Sequence, residues 1–224
     1  MTGRKRRVPV TALPLTALLL AAVALGTAAD EGSERETRST ISPAAVPALT
    51  SYGIDAAHST VTFKVKHMVV ATVQGRFTSF DGTVRYDPDD LAASSITATI
   101  DVASINTDNE ARDEHLRSAD FFDVESWPSM TFTSRTIENR EGRLVAIGDL
   151  TMRDVTREIE LPFELTGPVT GMRGETRYGV EARVRLDRQD FGVSWSRTLD
   201  SGGLVVSDMV EVEINLEILT RPGA

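Results

Sequence analysis

The sequence predicts an all-β fold: an eight-stranded antiparallel up-and-down barrel with a short helix between strands three and four. Three observations carry this. Eight segments between Thr60 and Ile218 alternate apolar and polar residues with a period of two, the pattern of strands with one dry and one wet face. Many of these segments run to nine or more residues and carry charge on the wet face, unlike the shorter strands of an immunoglobulin-type sandwich. Eight such strands within about 170 residues suit closure into a barrel.

The chain opens with Arg4, Lys5, Arg6 and Arg7, then carries no charge from Val8 to Ala29. A dense apolar stretch, Leu18 to Val23, leads to the small residues Gly26-Thr27-Ala28-Ala29. This three-part layout predicts a secretory signal over 1–29, cleaved on export. An uncleaved anchor is the alternative, since 22 uncharged residues reach across a bilayer, although Pro9 and Pro14 shorten the usable apolar part. Arg6-Arg7 lacks the bulky apolar pair that would make it a twin-arginine signal. Residues 30–50 have no apolar period and hold two prolines, so they read as a flexible spacer. The folded domain is expected over 51–221.

Strand one starts at Thr60, with Val61, Phe63 and Val65 on one face. Strand two runs from Val73 to Tyr86, with a phase break expected around Asp81-Gly82. Strand three places Ile96, Ala98, Ile100 and Val102 on one side. Thr107-Asp108-Asn109-Glu110 has capping-box spacing, and Ala111, Leu116 and Ala119 follow at helical intervals, so a short helix is expected to end before Phe121-Phe122. Strands four to eight follow as Met130–Ile137, Leu144–Met152, Arg157–Leu165, Tyr178–Leu186 and Val210–Ile218. Asp81-Gly82, Asp87-Pro88-Asp89, Glu141-Gly142, Gly167-Pro168 and Gly202-Gly203 mark turns.

Composition narrows the function. The net charge of −9, or −13 once residues 1–29 are removed, disfavours nucleic acid as a partner and stable membrane insertion of the mature chain. Zero cysteines exclude a disulfide scaffold, a thiolate zinc site and a cysteine nucleophile. His58, His67 and His115 lack the spacing of a metal site, so no metal and no cofactor are expected. Aromatic residues make up only 6% of the chain, too few to fill an eight-stranded barrel; such a barrel either is packed with side chains or holds one small ligand, and the partly empty form is the more economical.

Asp55 to His67, Gly75-Arg76-Phe77 with Phe80-Asp81-Gly82, Ile100 to Ile105, Arg112 to Leu116 leading to Asp120 to Asp123, Trp127-Pro128, Gly148 to Met152, Asp187 to Gly192 and Ser207 to Val210 together resemble the YceI-like, polyisoprenoid-binding family. The resemblance spans residues 52–219 in the family's order. It implies an extended lipocalin-like barrel whose tunnel holds a long isoprenoid chain, in a secreted, periplasmic or other envelope protein. It carries over no catalytic residue.

Phe63, Phe77, Ile100, Phe132, Leu150, Leu161, Phe163 and Ile214 sit in inward phase and are the tunnel candidates; ordinary core is the bland reading of each. Arg112, His115, Phe121 and Phe122 are the candidate mouth, cations beside an aromatic pair that could meet a quinone oxygen or a diphosphate. Asp187, Arg188 and Asp190 read as a structural corner with the arginine forked onto carboxylates, and Trp195 with the Gly202-Gly203 loop is placed at the opposite end of the barrel. The expected function is an exported, non-enzymatic carrier or store of a polyisoprenoid, such as an isoprenoid quinone or prenyl lipid, or of a similar long-chain amphiphile. Two alternatives stay open: an envelope lipid-modifying enzyme using His58 or His115, and a structural barrel with a filled core. A homodimer also stays open.

Overall fold

A computed structural model describes residues 49–198 and 204–220. The expected signal (1–29), nearly all of the spacer (30–48) and the Gly202-Gly203 turn lie outside the described residues. The chain forms β1 (Thr50–Ile54), β2 (Thr60–His67), β3 (Ala71–Phe77), β4 (Phe80–Tyr86), β5 (Ser95–Asp101), β6 (Ile105–Asn106), α1 (Glu110–Arg117), β7 (Ser129–Arg140), β8 (Arg143–Met152), β9 (Val155–Thr170), β10 (Thr176–Asp187) and β11 (Val206–Thr220).

These segments make an eight-stranded barrel because three of its strands are bent. β1 with β2, β3 with β4, and β5 with β6 each act as one strand: β1 pairs with β4 and β2 with β3, while β5 and β6 extend the ladder on β4 and β3. β7 to β11 continue as an antiparallel meander. β11 closes the ring, its first half on β2 (Ile214 opposite Val61) and its second on β1 (Ile218 opposite Ile54).

Each bend is a parity break. Phe77 and Phe80 both face inward, yet they stand three positions apart, an odd step, so the pleat must slip between. It does so at Thr78-Ser79, whose backbone N–H groups donate to Ser104 Oγ at 3.2 and 3.1 Å. Asp55 to Ser59 is a second break: the Asp55 carboxylate caps Ala57 N–H, and Ser59 Oγ accepts from Glu217 N–H. The break expected at Asp81-Gly82 is therefore misplaced. Gly82 lies inside β4, where the neighbouring strand comes so close that a Cβ would meet Thr97 O at 2.6 Å. Gly167-Pro168 likewise lies inside β9 and not at a turn; the ladder slips opposite it, between Arg177 and Gly179.

The helix forms where expected but begins later than the Thr107 capping box suggests. Asn109 is the N-cap and accepts from Arg112 N–H at 3.0 Å. Thr107 instead donates its N–H and hydroxyl to the buried Asp113 carboxylate, at 2.9 and 2.5 Å. The sheet registers set α1, the β2–β3 hairpin, the β8–β9 turn and the corner after β10 at one end of the barrel. The loops after β4, β7 and β9 lie at the other.

Candidate functional site

Inward-facing residues of the barrel strands enclose a cavity of about 250 Å³. Its wall is apolar almost throughout, from Val61, Phe63 and Val65 on β2 round to Val210, Val212 and Ile214 on β11. All eight tunnel candidates line it. Phe77, Phe132 and Phe163 are buried, at 8%, 8% and 7% exposure, and also belong to the packed clusters around the cavity. Phe63, Ile100, Leu150, Leu161 and Ile214 are only half-buried although they point inward. Side chains at native packing density leave few voids larger than a water molecule, so this uncovered apolar surface marks a hollow rather than a filled core.

Three tyrosines sit at the far end. Tyr52 and Tyr86 each meet Tyr178 edge-on, with ring centroids 5.4 and 5.7 Å apart, and burial pushes the Tyr52 and Tyr86 hydroxyls above the usual tyrosine range. Tyr86 lines the cavity.

At the helix end, the candidate mouth divides. Phe121 and Phe122 reach the cavity wall, together with Leu116, Phe191 and Val193, and form its roof. Arg112 and His115 are not among the lining residues. Arg112 turns back on the loop before its helix, donating from Nε to Thr107 Oγ1 and from Nη2 to Thr107 O, both at 2.7 Å. His115 bonds Asp120 at 2.9 Å and stacks edge-on against Phe121 and Trp195, at 5.0 and 5.1 Å. Trp195 therefore belongs to the helix end, not the opposite one: Phe121 is its packing partner at 5.2 Å.

Arg188 is a wall residue that alternation does not reveal, because it follows the end of β10. It is 6% exposed. Its guanidinium donates to the carbonyls of Ser207, Val193 and Val206 and to Asp208 Oδ1 at 3.1 Å. The expected fork onto Asp187 and Asp190 is thus replaced by three backbone acceptors and one carboxylate; Asp187 instead caps Gln189 N–H. Burial pulls the Arg188 guanidinium below the usual arginine range.

The polar cluster at the β1–β2 bend is self-satisfied. His58, 64% exposed, bonds Asp55 at 3.0 Å. Ser59 turns its hydroxyl to Asp55 O, away from any nucleophilic pairing with His58. Asp55, His58 and Glu217 lie close enough together to hold a cation, but the Arg177 guanidinium already bonds both Asp55 and Glu217. That arrangement reads as a charge-compensated corner of the β1–β2 bend.

A YceI-like domain model matches residues 52–218. UPF0312 proteins of Staphylococcus aureus are 34–35% identical over 170 residues, covering 75% of this chain and 97% of theirs. Among solved structures, Burkholderia cenocepacia BcnA superposes with a TM-score of 0.65 at 25% identity, covering 73% of this chain and 98% of that one. A Campylobacter jejuni YceI protein gives 0.60 at 29%, covering 70% and 90%. A polyisoprenoid-binding domain from Saccharophagus degradans shares the fold, with a TM-score of 0.60 at 17% identity over 77% and 99%.

Proposed function

The chain belongs to the YceI-like domain family, and from that premise we propose that it is an exported, non-enzymatic carrier that holds the tail of a polyisoprenoid, or a similar long-chain amphiphile, in its barrel. The observation that supports this best is the hollow itself: apolar side chains that face inward and remain half-uncovered. Such a wall gives up little on receiving a hydrocarbon chain. Each methylene-sized unit withdrawn from water contributes roughly 0.8 kcal/mol, so several units supply useful affinity without a polar anchor. A prenyl lipid cannot cross an aqueous envelope compartment alone, and a barrel that hides its tail makes it mobile.

The export reading rests on residues 1–29, which have the layout of a signal, and places the carrier in the envelope or outside the cell. Against chemistry, His58 is held in an exposed bend outside the cavity, and His115, which does not line the cavity, is bonded to Asp120 and stacked on Phe121 and Trp195.

The test is uptake. An apolar fluorescent dye held by the barrel is expected to be displaced by added prenyl lipids in the wild-type protein. Ala98 lines the cavity and lies across from Gly82 and Phe132. Ala98→Phe fills that space and is expected to weaken lipid binding by about tenfold or more, since it removes room for at least two methylene-sized units, while the thermal midpoint holds or rises. A barrel that takes up no prenyl lipid, or in which Ala98→Phe binds it as well as wild type, contradicts the reading.

A further inference from the structure

The β2–β3 hairpin ends in Met68-Val69-Val70, which are 42%, 73% and 87% exposed. Three consecutive uncovered apolar residues at a tip are unusual on a surface this acidic. Met68 and Val69 also hold φ angles of 49° and 66°, a conformation that a β-branched residue rarely adopts. Strain of that kind persists where the surroundings hold it in place, and here the Met68 N–H is tied to Val205 O at 2.9 Å.

The hairpin is continuous with the cavity. Val65 and Val206 line the wall, and the pairing of His67 with Val206 sets the tip just beyond them. The barrel's lysines gather on the same strand. Lys64 bonds Glu213 at 3.0 Å, whereas the exposed Lys66 donates to Thr72 and has no carboxylate partner among the described residues. Apolar side chains projecting beyond a flanking cation match the layering of a bilayer surface, with acyl chains below and phosphates above.

We infer that the Met68-Val69-Val70 tip is a membrane-docking lip that sets the helix end of the barrel against a lipid bilayer, Lys66 meeting the lipid phosphates. The inference rests on the proposed carrier function: a ligand insoluble in water must be collected from a membrane, and the lip places the roof formed by Phe121, Phe122 and Phe191 next to one. The protein's net negative charge keeps the contact local and reversible, because the rest of an acidic surface is repelled by anionic lipid.

The test is co-flotation of the full mature chain with vesicles of equal parts phosphatidylethanolamine and phosphatidylglycerol. Wild type is expected to float with them. The double variant Val69→Asp/Val70→Asp is expected to partition about tenfold less, since two apolar side chains lose their burial, and Lys66→Glu is expected to weaken flotation on its own. Circular dichroism checks that each variant is folded. Loading with a prenyl lipid injected from solvent is measured separately: flotation lost in the variants supports the lip, and this holds even if solvent loading fails in all proteins, which would defeat only the carrier reading. Wild type that stays with the unbound fraction, or variants that float equally, overturns the inference. So does a wild-type dimer in light scattering that the tip substitutions dissolve without any vesicle binding, which would make the tip a contact between copies.

Discussion

Asp55 and His58 show how a local pair in a strand bend becomes a pH effect. The hydrogen bond from His58 holds the Asp55 carboxyl below the usual aspartate range, and the same bond, with the nearby carboxylates of Asp55 and Glu217, raises the His58 imidazole. A raised histidine stabilises the fold fully below its ordinary value and loses that contribution as pH rises through the folded one; the depressed carboxylate behaves in the opposite sense on the acid side. The pair therefore contributes fully between pH about 4 and pH about 6.5. The thermal midpoint of wild type should fall relative to that of His58→Gln as pH rises from about 5 to about 8, and parallel curves would contradict this. Gly75 links a single residue to the cavity. A Cβ there would lie 2.3 Å from Phe63 Cζ and 2.8 Å from Thr107 Cγ2, so Gly75→Ala must tip the Phe63 ring into the hollow. Because the hollow gives the ring room, stability should drop by only about 1 kcal/mol, while lipid capacity, read by mass spectrometry, should fall more visibly.

At the scale of elements, the five strands from β7 to β11 were legible because each holds a run with a period of two, with Val210, Val212, Ile214 and Leu216 on one face of β11 as the plainest case; in β7 the run breaks where the ladder shifts between Ser134 and Thr136. The bends were not. Asp-Gly at 81–82 looks like a turn by residue type, and only the inward placement of both Phe77 and Phe80 reveals that the pleat slips earlier. β1 was missed because Thr50 to Ile54 is too short to show alternation and is tied into the barrel by β4 and β11. The arginine of the corner after β10 is legible as an anchor, but its acceptors are not: carbonyls of Val193, Val206 and Ser207 carry no sequence signal. Arg188→Met should lose about 2–3 kcal/mol in denaturant unfolding, as these buried carbonyls and Asp208 are left without their donor. A loss within experimental error would mean that Val193 and the start of β11 are held by other contacts.

For the whole molecule, the cavity wall was readable to the extent that inward phase is readable: eight residues chosen by parity all line one cavity. Parity cannot tell a wall from a core, and the half-buried state of Phe63, Ile100, Leu150, Leu161 and Ile214 draws that distinction. The helix end was legible only as a neighbourhood, since helical spacing brings Arg112 and His115 near the roof but leaves open which way each turns, and Thr107 and Trp195 decide that. The central claim is that the hollow holds a lipid tail, and it is tested most directly on residues 30–224, exported and purified from a native-like host without detergent. The protein is extracted with organic solvent, and any bound lipid is identified and counted by mass spectrometry. A prenyl lipid or similar long-chain amphiphile near one per chain is the expected result. A barrel that emerges empty and remains empty when prenyl lipids are added would contradict the claim and leave only the fold standing.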